Sequence, residues 1–138
     1  MKIAAITVVR DEAVMLPRWI DYYGGQLGTD HLYVIDDNSS DGSTTALPCS
    51  VIRVPDWGSA HFERTRMQLV SGIAAGLLAA YDAVLFADAD EFLVADPKHF
   101  DGLADLIRRV DRPVIGAVAL NVMHVAAREP ALRPDAPI

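Results

Sequence analysis

The 138 residues predict an α/β domain with a mostly parallel sheet and helices on both faces. Two patterns carry this. Short, β-branched apolar runs lack polar alternation, as strands buried on both faces do, and amphipathic helical stretches separate them. A third observation concerns punctuation: acidic clusters close the first, second and fourth runs, and in parallel sheets ligands bind beyond the carboxyl ends of the strands.

Ile3–Val9 is the first and central strand, nearly continuous in apolar residues. Asp11 and Glu12 then stand where a helix begins, and Leu16, Trp19, Ile20 and Tyr23 recur at helical spacing up to Gly24-Gly25 or Gly28. His31–Ile35 is the second strand and Val51–Val54 the third. From about Ala60 to Ala80, Phe62, Met67, Val70, Ile73, Leu77 and Leu78 form a second amphipathic stripe, with Arg64 and Arg66 in its first turns. Asp82–Ala87 is the fourth strand. Asp96-Pro97 reads as an N-cap followed by proline at the first helical position, with Phe100, Leu103, Leu106, Ile107 and Val110 on the buried face. Arg108 and Arg109 suit that helix's C-terminal dipole. Pro113–Val122 completes a fifth strand, so residues 1–125 form the domain and 126–138 an irregular proline-rich tail. Right-handed crossovers make this a Rossmann-like arrangement with three acidic strand ends on one rim.

Composition narrows the function. Hydrophobic residues are 51% and charged residues 22% of a chain long enough to bury a core. A net charge of −7 argues against nucleic-acid binding. The only cysteine, Cys49, rules out an internal disulfide and fits a reducing cytoplasm. The start runs straight into a strand without a cleavage site, and the longest apolar stretch, Ile73–Ala80, is too short for a transmembrane segment. Peripheral membrane contact stays open.

In Val84-Leu85-Phe86-Ala87-Asp88-Ala89-Asp90-Glu91-Phe92 an apolar strand runs into three carboxylates. On an extended backbone Asp88 and Asp90 share one face, about 6 to 7 Å apart. At an effective dielectric near 20 they repel by roughly 2 to 3 kcal/mol, which a hard divalent cation would offset. The bland alternative is a solvated turn. Glu91 points to the opposite face. Asp36 and Asp37 end a strand where a carboxylate can accept from a nucleobase imide or a ribose hydroxyl, whereas Asp41-Gly42-Ser43 reads as a turn. Asp11 and Glu12 suit either a helix cap or a ligand contact. Arg64 and Arg66 read as a solvated face, or as cations beside a diphosphate. His31, His61, His99 and His124 show no ligand spacing, and Trp57 lies in an exposed loop.

Arg10-Asp11-Glu12, Leu16-Pro17-Arg18-Trp19, Asp36 through Gly42 and Phe86 through Leu93, in that order, make the chain resemble family 2-like glycosyltransferases of GT-A fold. The resemblance covers residues 1 to about 125. It implies a nucleotide-diphosphate sugar donor, Mn²⁺ or Mg²⁺, and transfer to a hydroxyl acceptor with inversion. It places Asp11 or Glu12 near the base and Asp36 or Asp37 on the base or ribose. Asp88 then lies toward ribose and metal, with Asp90 as the main metal ligand. Such enzymes continue well past the aspartate pair, so the sequence is expected to be an N-terminal part, truncated at the C-terminus, with the general base beyond Ile138. Glu129 and Asp135, the only carboxylates after the last predicted strand, sit in the tail. Two alternatives follow: a nucleotide-sugar-binding module without turnover and, more remotely, a haloacid dehalogenase-like phosphohydrolase. In the latter the Asp-x-Asp pair normally follows the first strand, with Thr or Val where this chain has Phe92.

Overall fold

A computed structural model of the protein describes residues 1–56, 62–110, 112, 115, 117–121 and 127–131. In chain order these contain strand β1 (Ile3–Val9), helix α1 (Met15–Leu27), a 3-10 turn at Thr29–His31, β2 (Leu32–Asp36), β3 (Ser50–Arg53), α2 (Phe62–Leu77), β4 (Ala83–Phe86) and α3 (Leu103–Arg109). Four parallel strands lie in the order β3-β2-β1-β4. The registers Val9↔Asp36, Asp36↔Arg53 and Ile6↔Phe86 bring the carboxyl ends to one rim.

The uninterrupted apolar strands are explained by two cores. Ala5 and Val9 of β1 and Leu32 and Val34 of β2 pack with Leu16, Trp19, Ile20 and Tyr23 of α1 and Leu103 of α3. Ile6 and Ile35, the alternate residues of the same strands, pack with Val70 of α2, joined by Ile73, Leu77, Val84 and Phe86. Period-two alternation therefore sends one set of side chains to each face, and helices cover both.

α1 runs through Gly24-Gly25 to Gly28, whose φ of 92° supplies the left-handed cap. Gly24 is a packing residue rather than a break: a Cβ there would lie 3.0 Å from Thr29 Cγ2. The expected cap at Asp96 closes a single turn, with its Oδ1 accepting from the Lys98 N–H at 2.9 Å. The helix itself starts at Leu103, after Gly102 at φ 143°, and Gln26 Oε1 of α1 accepts the Leu103 N–H at 3.1 Å.

The fifth strand is a second correction. Its described residues, 115 and 117–121, form no strand, and Val118 and Leu120 are 88% and 83% exposed. An apolar run becomes a strand only where a neighbour supplies hydrogen bonds and burial, and no described residue pairs with the outer edge of β4. Of the expected tail, 127–131 are described and contain a turn. Trp57, His61, His124, Asp135 and the start of the second helical stripe at Ala60 lie outside the described residues. Among the described residues no helix is long and apolar enough to cross a membrane.

Candidate functional site

From β1 the chain winds outward through β2 to β3 and returns to the other side of β1 as β4. The carboxyl ends of β1 and β4 therefore flank a topological switch point, where open α/β sheets bind ligands. Asp11 follows β1, and the segment Asp88-Ala89-Asp90 follows β4. Asp11 and Asn38, just past β1 and β2, take left-handed φ values of 54° and 59°, a region that aspartate and asparagine enter more readily than other side chains, and Ala46 takes 55°.

Three hydrogen-bonded arginine–aspartate pairs stitch this rim, and Arg10 Nη2 also lies 3.9 Å from Asp56 Oδ1. Arg10 donates from Nε to the Asp37 carbonyl at 2.8 Å and from Nη2 to Asp37 Oδ1 at 3.0 Å. Arg53, opposite Asp36 in the β3 register, donates from Nε and Nη2 to Asp36 Oδ2 at 2.9 and 2.8 Å. Asp36 also accepts from the Ser39 N–H at 2.8 Å and the Thr44 hydroxyl at 3.0 Å. Both its oxygens are thus used inside the protein, so it braces the loop after β2 instead of facing a ligand. Asp37 is equally buried, and its Oδ1 carries Arg10 and, at 3.3 Å, the Asn38 amide.

Asp11 is exposed, and its Oδ1 accepts the N–H groups of Ser40 and Asp41 at 2.6 and 3.1 Å. These bonds, the Ser40 N–H foremost, hold its carboxyl below the ordinary carboxylate range. Glu12 Oε1 accepts the Met15 N–H at 3.0 Å and so caps the first turn of α1. The two acidic residues after β1 are therefore structural in their present contacts: one clamps the neighbouring loop, the other starts a helix.

β4 ends at Phe86, and the Glu91 N–H donates to the Asp88 carbonyl at 2.9 Å. Asp88 and Asp90 therefore occupy a turn, not the extended face expected of them. Arg66 of α2 donates from Nη1 to Asp88 Oδ1 at 2.6 Å. Asp90 is exposed, and its carboxylate has no hydrogen bond or ion pair among the described residues. α1 holds the segment just beyond. Tyr23 donates its hydroxyl proton to the Glu91 carbonyl at 3.1 Å and accepts the Leu93 N–H at 2.9 Å. Tyr22 donates to the Leu93 carbonyl at 2.9 Å.

The structure thus gathers Asp11, Asp36, Asp37, Asp88, Asp90 and Arg66 at or behind one rim, but gives them unequal freedom. Sequence reasoning gave Arg53 and Tyr22 no role, read Tyr23 only as part of the apolar stripe of α1, and used Arg10 only as part of a motif. Arg53 could have been found from register, since pairing β2 with β3 sets it opposite Asp36. The tyrosine contacts join residues about 70 positions apart and left no local signal. Arg64 is exposed, and His31 bonds Tyr81 at 3.2 Å, away from this rim.

Among the described residues no group of three or more His, Cys, Asp or Glu side chains is placed to hold a metal ion. The pair Asp88 and Asp90 nevertheless suits a hard cation in its donor chemistry. Both offer carboxylate oxygen, Asp90 is unengaged, and Asp88 already holds a positive group. Magnesium-type ions are commonly held by one or two carboxylates, with substrate phosphates and water completing the shell. No protein-family model, curated protein or solved structure matches the chain.

Proposed function

We propose that the chain is a glycosyltransferase domain of GT-A type that binds a nucleotide-diphosphate sugar through Mn²⁺ or Mg²⁺ at Asp88 and Asp90. The supporting observation is the exposed carboxylate of Asp90, without a partner among the described residues, beside Asp88 on a turn past β4 at the switch point of an all-parallel sheet. The order of the motifs, which resembles family 2-like enzymes, points the same way. The loop after β2 lines the nucleoside side of the rim, with Asp36, Asp37 and Asp11 as its braces and Glu12 as the cap of α1. Arg66 stands on the diphosphate side.

In the transfer, an acceptor hydroxyl forms a bond to the anomeric carbon and gives its proton to a general base. The bond from that carbon to the diphosphate oxygen breaks, and the nucleoside diphosphate leaves with the electron pair. The bound ion supplies charge stabilisation to that leaving group. Asp88 and Asp90 position and anchor it, while the Tyr22–Tyr23 clamp keeps their turn in place. The lone thiol, Cys49, suits the reducing cytoplasm as the site of the reaction.

Calorimetry with nucleoside diphosphates in the presence and absence of Mn²⁺ tests the binding half. The expected outcome is metal-dependent binding by the wild type, weakened at least about tenfold in Asp90→Ala, a loss of about 1.4 kcal/mol. Equal binding by Asp90→Ala would remove the metal assignment.

A further inference from the structure

We propose that Arg66 is the resident counter-ion of Asp88: its guanidinium occupies the carboxylate while no metal is bound and gives it up when a divalent cation loads. The inference rests on the metal reading above and adds a coupling between two ligands.

Arg66 is 17% exposed, and its Nη1 lies 2.6 Å from Asp88 Oδ1. The rest of its environment is incomplete. Nη2 reaches Glu63 Oε2 at 3.2 Å, but that glutamate is 72% exposed, and the guanidinium sits over the Phe86 ring at 5.8 Å. Nε is buried and has no hydrogen-bond partner among the described residues. A guanidinium with an unsatisfied buried donor gains by moving to a ligand that uses more of its fork, and a diphosphate offers such acceptors. While the pair is closed, Asp88 is neutralised and attracts a dication less. Once Asp88 takes the cation, Arg66 is released at the same rim with its N–H groups available to an anion. Cation and diphosphate therefore load cooperatively, because each removes one partner of a pair that otherwise opposes both.

Mn²⁺ alone, titrated by calorimetry into the 138-residue chain, reads the first half. Arg66→Ala is expected to bind the ion about fivefold tighter than wild type, the worth of a partly exposed ion pair. In the presence of Mn²⁺ the same variant is expected to bind inorganic pyrophosphate about fivefold more weakly. Unchanged or weaker Mn²⁺ binding by Arg66→Ala overturns the proposal. If Asp90→Ala then still loses the ion, the metal reading survives and only the counter-ion role falls, whereas absence of Mn²⁺ binding in wild type and Arg66→Ala alike removes both. The wild type supplies a readout independent of any variant's folding. In nitrogen spectra of the arginine side chains, the Arg66 Nη signals are expected to be separate without metal and to merge on adding Mg²⁺, as the released guanidinium rotates freely. Signals that Mg²⁺ leaves separate overturn the exchange.

Discussion

Asp36 is buried without a trace of exposure, yet four donors surround it: the Ser39 N–H, the Thr44 hydroxyl, and Nε and Nη2 of Arg53. Burial alone pushes its carboxyl up, but the bonds from Ser39, Arg53 and Thr44 outweigh it and hold the group below the ordinary value of 3.8. A carboxyl depressed on folding stabilises the native state above its ordinary range, and that contribution is lost as pH falls through the folded value. Asp36→Ala is therefore expected to destabilise the protein by about 1 to 3 kcal/mol at neutral pH, because the Ser39 N–H and the Thr44 hydroxyl lose their acceptor, while Arg53, 67% exposed, can turn to solvent. Urea denaturation at pH 7 and again below pH 4 checks it. The penalty should shrink at the lower pH, where the wild-type carboxyl is protonating as well. At the same rim, Asp90→Ala is expected to leave stability within about 0.5 kcal/mol of wild type, since its carboxylate is exposed and touches no described partner. Two kinds of aspartate thus divide the labour: some build the rim, and Asp90 is left to face solvent.

At the level of elements, α1 does more than cover a sheet face. Tyr22 and Tyr23 reach 68 to 71 residues along the chain to bond the backbone of 91–93, and Tyr22 meets the Phe92 ring edge-on at 5.2 Å. Burial drives the Tyr23 phenol up to about 12, so its stabilisation is full below pH 10 and fades as pH rises toward that value. Tyr23→Phe removes both a donor and an acceptor, and is expected to cost about 1 to 2 kcal/mol. Hydrogen exchange should show lost protection at the Leu93 amide, with metal-dependent nucleotide binding weakened as the aspartate turn loosens. These contacts also explain what could be read from sequence. Ile3–Val9 was legible to the residue, because a strand buried on both faces must be apolar throughout. α1 was legible from its stripe and its Gly28 cap. The turn at Asp88–Glu91 was not, since an i, i+2 spacing looks the same in a strand and just past its end, and the tyrosines that hold it lie far away in sequence. The expected cap at Asp96 misled for a related reason: Asp-Pro starts a turn as readily as a helix, and the glutamine that starts α3 belongs to α1.

Taken as a whole, the two sides of the sheet are held unequally. α1 buries Leu16, Trp19, Ile20 and Tyr23 against β1 and β2, and α3 adds Leu103. α2, although it is 16 residues long, fully buries only Val70, and Met67 is 45% exposed. At about 1.5 to 3 kcal/mol for each fully buried large apolar side chain, the α1 side outweighs the α2 side several-fold in anchoring. Local opening free energies follow buried apolar contact, so α2 is expected to open while β1, β2 and α1 stay closed. Native-state hydrogen exchange under conditions where opening precedes exchange should place the α2 amides several kcal/mol below those of α1, whose slowest members report global unfolding. Equal protection of the two helices would refute this. The difference bears on the site because α2 carries Arg66: the element that supplies the exchangeable cation is also less costly to move than α1. A ligand that engages Arg66 raises the opening free energy of α2 by its binding to the closed form. Mn²⁺ with a nucleoside diphosphate should therefore slow exchange in the first turns of α2 more than in α1, which gains little because it is already well anchored.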